Sequence, residues 1–190
     1  MNYDVDETSL YPKFSKLLRD LFKCQYCGER RILWGKQPDV IGVRFDVKGG
    51  LMLHLYLVEV KIINSLEAVY NLIGEMEART ASFCKYNAIF YSFHPYLGIL
   101  ETYRSRELRD YAEHRGVGII RVEGDSLSIE RRPIPMFSHR VLSGKDLRDQ
   151  DWVKDYGEAR ILKKVMRMVD WQSWKSIFDL DITHSTSMAR

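Results

Sequence analysis

Three observations predict a mixed α/β sheet with helices on its faces. Helical and strand periodicities succeed one another as helix, three strands, helix, strand, helix, strand. Two apolar runs flank Lys48-Gly49-Gly50 like the arms of a hairpin. The 190 residues, 45% hydrophobic and 29% charged, suit one ordinary domain or a core with a modest appendage, stable without disulfide staples.

Leu10, Phe14, Leu17, Leu18, Leu21 and Phe22 recur at helical spacing, which predicts an amphipathic helix over 7–22 with Glu7 at its start. After a stretch holding Cys24, Cys27 and Gly28, residues 31–34 read as a short strand. Residues 39–47 and 51–61 are rich in Val, Ile, Leu, Tyr and Phe and form the hairpin. Ser65 caps a helix that Leu66, Val69, Leu72, Ile73 and Met76 carry to about residue 85. Residues 88–93 read as a strand ended by His94-Pro95, 101–115 as a helix stopped by Gly116, 117–122 as a strand and 127–129 as an edge strand. Two arginines and two prolines within 131–135 interrupt regular structure, so the sequence divides into a core over 1–130 and a basic connector with a helical region over 131–190. In that second part 142–156 and 157–174 read as helices, with Ile161, Leu162, Val165, Met166 and Val169 as the buried stripe. The chain is expected to fray from about Thr183.

Charge and cysteine usage narrow the function classes. A net charge of +3 tolerates a polyanionic partner without demanding one, so any basic surface must be local. Three cysteines close no set of disulfides, and a reducing cytoplasm is the expected compartment. The acidic, polar start of the chain is the wrong chemistry for a signal peptide. The most apolar stretch, 51–63, is short and broken by His54, Glu59 and Lys61, which gives no membrane segment.

The residues that carry chemistry are Pro38-Asp39 and Glu59-Val60-Lys61. Side chains at i and i+2 of a strand share a face, so Glu59 and Lys61 project together at the end of a face otherwise made by Leu53, Leu55 and Leu57. A carboxylate buried there needs a partner or a metal. The apolar set Ile41, Val43, Phe45 and Val47 meets Leu53, Leu55 and Leu57 only if the turn has an odd length or the hairpin carries a bulge. A three-residue loop with glycine satisfies this and places Asp39 opposite Glu59 or Lys61. Two carboxylates suit octahedral Mg²⁺ or Mn²⁺, with Lys61 orienting a water or stabilising charge on phosphorus, and Glu7 within reach from the first helix.

This constellation resembles the PD-(D/E)xK nuclease superfamily, whose fold is restriction-endonuclease-like. The likeness is carried by Pro38-Asp39, the spacing to Glu59-Val60-Lys61 and the element order. It extends to the wording of Glu7-Thr8-Ser9-Leu10-Tyr11-Pro12 and of Leu108-Arg109-Asp110-Tyr111-Ala112-Glu113-His114-Arg115-Gly116-Val117-Gly118, which is similar to uncharacterised prokaryotic members. It covers about residues 6–130. The resemblance implies Asp39 and Glu59 as metal ligands, Lys61 as the catalytic lysine and Glu7 as the first-helix acid, with Mg²⁺ or Mn²⁺ as cofactor. It also implies Tyr70, Asn71 or Glu75 as a further active-site group on the helix after the strand. The function it implies is hydrolysis of phosphodiester bonds in nucleic acid, with DNA the first expectation and RNA left open. A homodimer is one arrangement that cuts both strands. The alternative is the same fold as a weak or inactive module that binds nucleic acid or protein in a defence or repair assembly.

Other motifs weigh less. Cys24-Gln25-Tyr26-Cys27 has the spacing of half a zinc knuckle, but Cys84 and the five histidines are scattered, so free thiols are expected. Arg131, Arg132, Arg140 and Lys145 near the boundary, and Lys163 and Lys164 beyond it, are candidate phosphate contacts; such groups hold nucleic acid without reading sequence. Trp171 and Trp174 at helical spacing suit a core or an interface.

Overall fold

A computed structural model of the chain describes residues 6–177. A 3₁₀ turn, Glu7–Leu10, leads into α1 (Tyr11–Asp20), followed by β1 (Tyr26–Glu29), β2 (Val40–Val47), β3 (Leu51–Ile63), α2 (Leu66–Tyr86), β4 (Phe90–Glu101), α3 (Arg106–Arg115), β5 (Gly118–Glu123), β6 (Ser126–Arg131), β7 (Met136–Phe137), α4 (Gly144–Arg148) and α5 (Tyr156–Met166). The seven strands make one mixed sheet in the order β1-β2-β3-β4-β5-β6, with the short β7 paired to β4. The β1-β2 and β2-β3 pairs are antiparallel, β3-β4 and β4-β5 parallel, and β5-β6 antiparallel.

Each face of the sheet is covered by its own apolar cluster. Leu10, Phe14 and Leu18 from the first helical segment pack on Tyr56, Val58, Val60, Tyr96 and Ile120. Across the sheet, Val69, Leu72, Met76 and Phe83 of α2 cover Leu53, Leu55, Leu57, Phe93 and Leu97, and Ile161, Leu162 and Val165 of α5 join the same cluster. Alternation along β3 therefore feeds both cores at once. That explains why almost the whole strand is buried although Glu59 lies within it.

The hairpin has the odd loop that residue parity requires. Val47 pairs with Leu51 across Lys48-Gly49-Gly50, and Val43 pairs with Leu55. Gly49 and Gly50 take φ of 67° and 144°, backbone conformations that side chains disfavour. Ser65 caps α2 by accepting from Ala68 N at 3.2 Å, and Gly116 ends α3.

Several expectations need correction. The first strand is Tyr26–Glu29 and not 31–34, because β2 offers its edge to residues 26–29; Leu33 makes only an isolated bridge to Lys36. β4 does not stop at His94-Pro95 but runs to Glu101. On the flank away from β3, β7 pairs only with Ser92 and Phe93 and β5 begins at Tyr96, so Pro95 falls in a gap where a missing N–H breaks no ladder. α3 starts at Arg106, capped by Ser105, rather than at 101. The helix expected over 142–156 is only α4, whose capping box between Ser143 and Asp146 opens a five-residue turn. The fraying expected from Thr183 lies outside the described residues. Among the described residues no helix is long and apolar enough to cross a membrane.

Candidate active site

β3 is longer than its neighbour β2, and the site grows from that mismatch. The paired register ends at Val40 opposite Val58, so continuing it sets Asp39 against Glu59. Beyond that point the N–H groups of β3 need other acceptors. Val60 N donates to Asp39 Oδ2 at 2.8 Å, and Ile62 N donates to Glu7 Oε1 at 3.2 Å. Two acids far apart in sequence are thus drawn to one strand end by the backbone itself. Tyr11 Oη donates to the other oxygen of Asp39 at 2.6 Å, and Lys61 Nζ lies 3.5 Å from Glu7 Oε2.

Glu59 points the other way, under α2. Its side chain is only 2% exposed, and Arg79 Nε donates to its Oε1. Burial pushes the Glu59 carboxyl well up, while the Arg79 guanidinium pulls it back and the charges of Asp39 and Glu75 push it further. Glu75 is raised as well, first by burial and against the pull of Lys61, with Asp39 adding to the rise. Four carboxylates, Glu7, Asp39, Glu59 and Glu75, therefore share a neighbourhood with Lys61 and Arg79.

The surface above this neighbourhood is an open cavity of about 510 Å³ lined by Lys36, Lys61, Tyr70, Asn71, Gly74, Glu75, Ala78 and Arg79. Tyr70, Asn71 and Glu75 all line it, together with the lysine of the E-x-K segment. Arg79 and Lys36 were missed from sequence. Arg79 had a signal, since Asn71, Glu75 and Arg79 follow one another at i, i+4 and i+8 on one helix face. Lys36 and the Asp39 partner Tyr11 had none.

The basic candidates lie elsewhere. None of Arg131, Arg132, Arg140, Lys145, Lys163 and Lys164 lines the cavity. Arg140 stacks over Trp152, with its guanidinium carbon 4.9 Å from the ring centre, and Lys164 Nζ sits 5.9 Å from the Tyr26 ring centre. Cys24 is buried, its thiol pushed up by a hydrogen bond with Cys27 and by burial; Cys84 is exposed on α2. Among the described residues no three Asp, Glu, His or Cys side chains are placed closely enough to share a metal ion.

No family model matches the chain, and no curated protein matches it. Among solved structures, a protein of unknown function from Silicibacter pomeroyi is similar at 12% identity and a TM-score of 0.44, over 85% of this chain and 84% of that one.

Proposed function

We propose that the protein is a metal-dependent nuclease of restriction-endonuclease-like fold that hydrolyses phosphodiester bonds in nucleic acid, with DNA as the first substrate to test, in the cytoplasm. The observation that carries this reading is the register of the hairpin: continued by one residue it sets Asp39 opposite Glu59, with Lys61 at the same strand end and Glu7 on the Ile62 N–H, while Tyr11 of α1 holds the Asp39 carboxylate and Arg79 of α2 that of Glu59.

The donor chemistry, though not the spacing of three acids, suits a hard divalent cation. All the candidate ligands are carboxylate oxygens, and each oxygen that accepts one hydrogen bond keeps a second lone pair. Asp39 and Glu59 would hold Mg²⁺ or Mn²⁺; Glu7, the third acid of the expectation, is held by Ile62 N and Lys61 Nζ, and no three of the described acids stand close enough to share an ion. The ion would supply Lewis-acid polarisation of the phosphodiester. Lys61 brings an ammonium to the charge that develops on the phosphoryl oxygens, and its pairing with Glu7 fixes where that ammonium sits. Lys36 and Lys61 give the cavity cations for a polyanion, and Tyr70 and Asn71 at its rim offer a ring and an amide to sugar or base.

One observation favours the second reading, a binding module with the same fold that does not cut: Arg79 already neutralises Glu59. A panel of duplex, single-stranded and branched DNA and of RNA, incubated with Mg²⁺ or Mn²⁺, separates the two. Cleavage by wild type, reduced at least about 100-fold in Asp39→Ala and Lys61→Ala, supports the nuclease. Equal cleavage by both variants rejects the site. Binding without cleavage by any form assigns the module.

A further inference from the structure

We propose that the cavity beside the strand end is a nucleotide pocket that takes one splayed-out unit of a single strand, so that the protein binds single-stranded nucleic acid in preference to duplex and does so without a divalent ion. This deepens the proposed reading and rests on it for the class of ligand, nucleic acid.

Some of the lining groups already have partners and some do not. Lys61 is paired with Glu7, and Arg79 with Glu59. Lys36, Tyr70 and Asn71 line the same cavity, and their side chains make no hydrogen bond, ion pair or ring contact among the described residues. An ammonium, an aromatic ring and an amide left over in one hollow match the three parts of a nucleotide: phosphate, base face and base edge. Glu75, the one carboxylate in the lining, suits the amino group of a base and repels phosphate, which steers the phosphate toward Lys36.

The fold presents these groups rather than covering them. Tyr70 is 57% exposed, and a side chain one turn on, at 74, would lean back toward its ring; Gly74 puts nothing there, and its Cβ position has no neighbour within 4 Å. The ring is therefore left bare. Lys36 comes from a tight turn outside α2: Leu33 and Lys36 exchange backbone hydrogen bonds of 2.8 and 3.0 Å across Trp34-Gly35, both at positive φ, and the buried Trp34 indole donates to Glu158 Oε1 at 2.9 Å. The backbone carrying each group is thus held before a ligand arrives. A hollow of about 510 Å³ has the size of a small-molecule site, and bases stacked and paired in a duplex cannot enter it. A single strand offers the face, edge and phosphate of one unit together.

The test is fluorescence anisotropy with the full chain in EDTA, which removes divalent ions and prevents cutting. The probes are a labelled single-stranded oligodeoxynucleotide of about 16 nucleotides and the same sequence as a duplex with G·C ends. The single strand should bind at least about tenfold more tightly. Tyr70→Ala should cost it about tenfold, as should Gly74→Leu, which lays a side chain toward the ring, while Tyr70→Phe stays close to wild type. Lys36→Ala should lower the slope of log affinity against log salt by about 0.7. Circular dichroism checks that each variant is folded, and Gly74→Leu replaces a poor helix former with a good one. No binding of the single strand, equal or tighter binding of the duplex, or Tyr70→Ala binding like wild type overturns the pocket. Cleavage with Mg²⁺ or Mn²⁺ is scored separately. A protein that cuts but shows no single-strand preference in EDTA loses the pocket and keeps the nuclease reading; one that prefers single strands and never cuts keeps the pocket and loses the nuclease.

Discussion

At the scale of single residues, the buried carboxylates of Glu59 and Glu158 are neutralised in different ways. Glu59 has a guanidinium. Glu158, fully buried on α5, has only neutral donors: Trp34 Nε1 at 2.9 Å and Ala88 N at 3.1 Å. Burial therefore wins, and the Glu158 carboxyl is pushed up to about 7. Between its ordinary value of 4.5 and about 7 the folded protein holds a proton that the unfolded chain releases, so this group's contribution to stability falls as pH rises through that window and is level above it. The effect is at most about 3 kcal/mol. Glu158→Gln, which keeps the accepting oxygen, should flatten the loss; thermal unfolding of both proteins from pH 5 to pH 8 checks it, and parallel curves would reject the assignment. Nothing in the sequence announced this residue, because a lone glutamate on a helix reads as solvated until the fold closes over it. That Asp39, Glu59 and Lys61 lie at one strand end was legible because strand parity alone puts them there. Tyr11 was not, because its partner comes from another element, and the helix face that Arg79 shares with Asn71 and Glu75 did not reveal its pairing with Glu59 on β3.

At the scale of elements, legibility followed how local the controlling interaction is. The hairpin and the start of α2 are set by neighbours in sequence, a glycine turn and a serine cap, and both were read correctly. β1 and the second half of β4 depend on which edges the rest of the sheet leaves open, which no local pattern records. Glycines in helices show the same contrast. Gly157 near the start of α5 has Ile32 O only 2.1 Å from where a Cβ would stand, whereas Gly74 within α2 meets nothing within 4 Å. Alanine is the better helix former by about 1 kcal/mol, so Gly74→Ala should raise stability by roughly that amount. At Gly157 the clash is with backbone and costs about 2–3 kcal/mol, which outweighs the propensity. Urea midpoints moving in opposite directions are expected; a stabilising Gly157→Ala would show that α5 docks differently.

At the scale of the whole molecule, the composition break at 131–135 is not a break in packing. Leu142, Leu147, Ile161, Leu162 and Val165 share one apolar cluster with Leu53, Leu55 and Phe93 of the central strands. Shared cores unfold together, so far-UV circular dichroism and tryptophan fluorescence should report a single coincident urea transition. Two separated transitions would mean that the C-terminal helices melt alone.

The sheet also sets an order of assembly. Asp39 and Glu59 belong to a hairpin closed by three residues, while Arg79 arrives on α2 and must wait for that helix to dock. On a nascent chain both arms of the hairpin are therefore complete before the residue that supplies the counter-charge to Glu59 has been added.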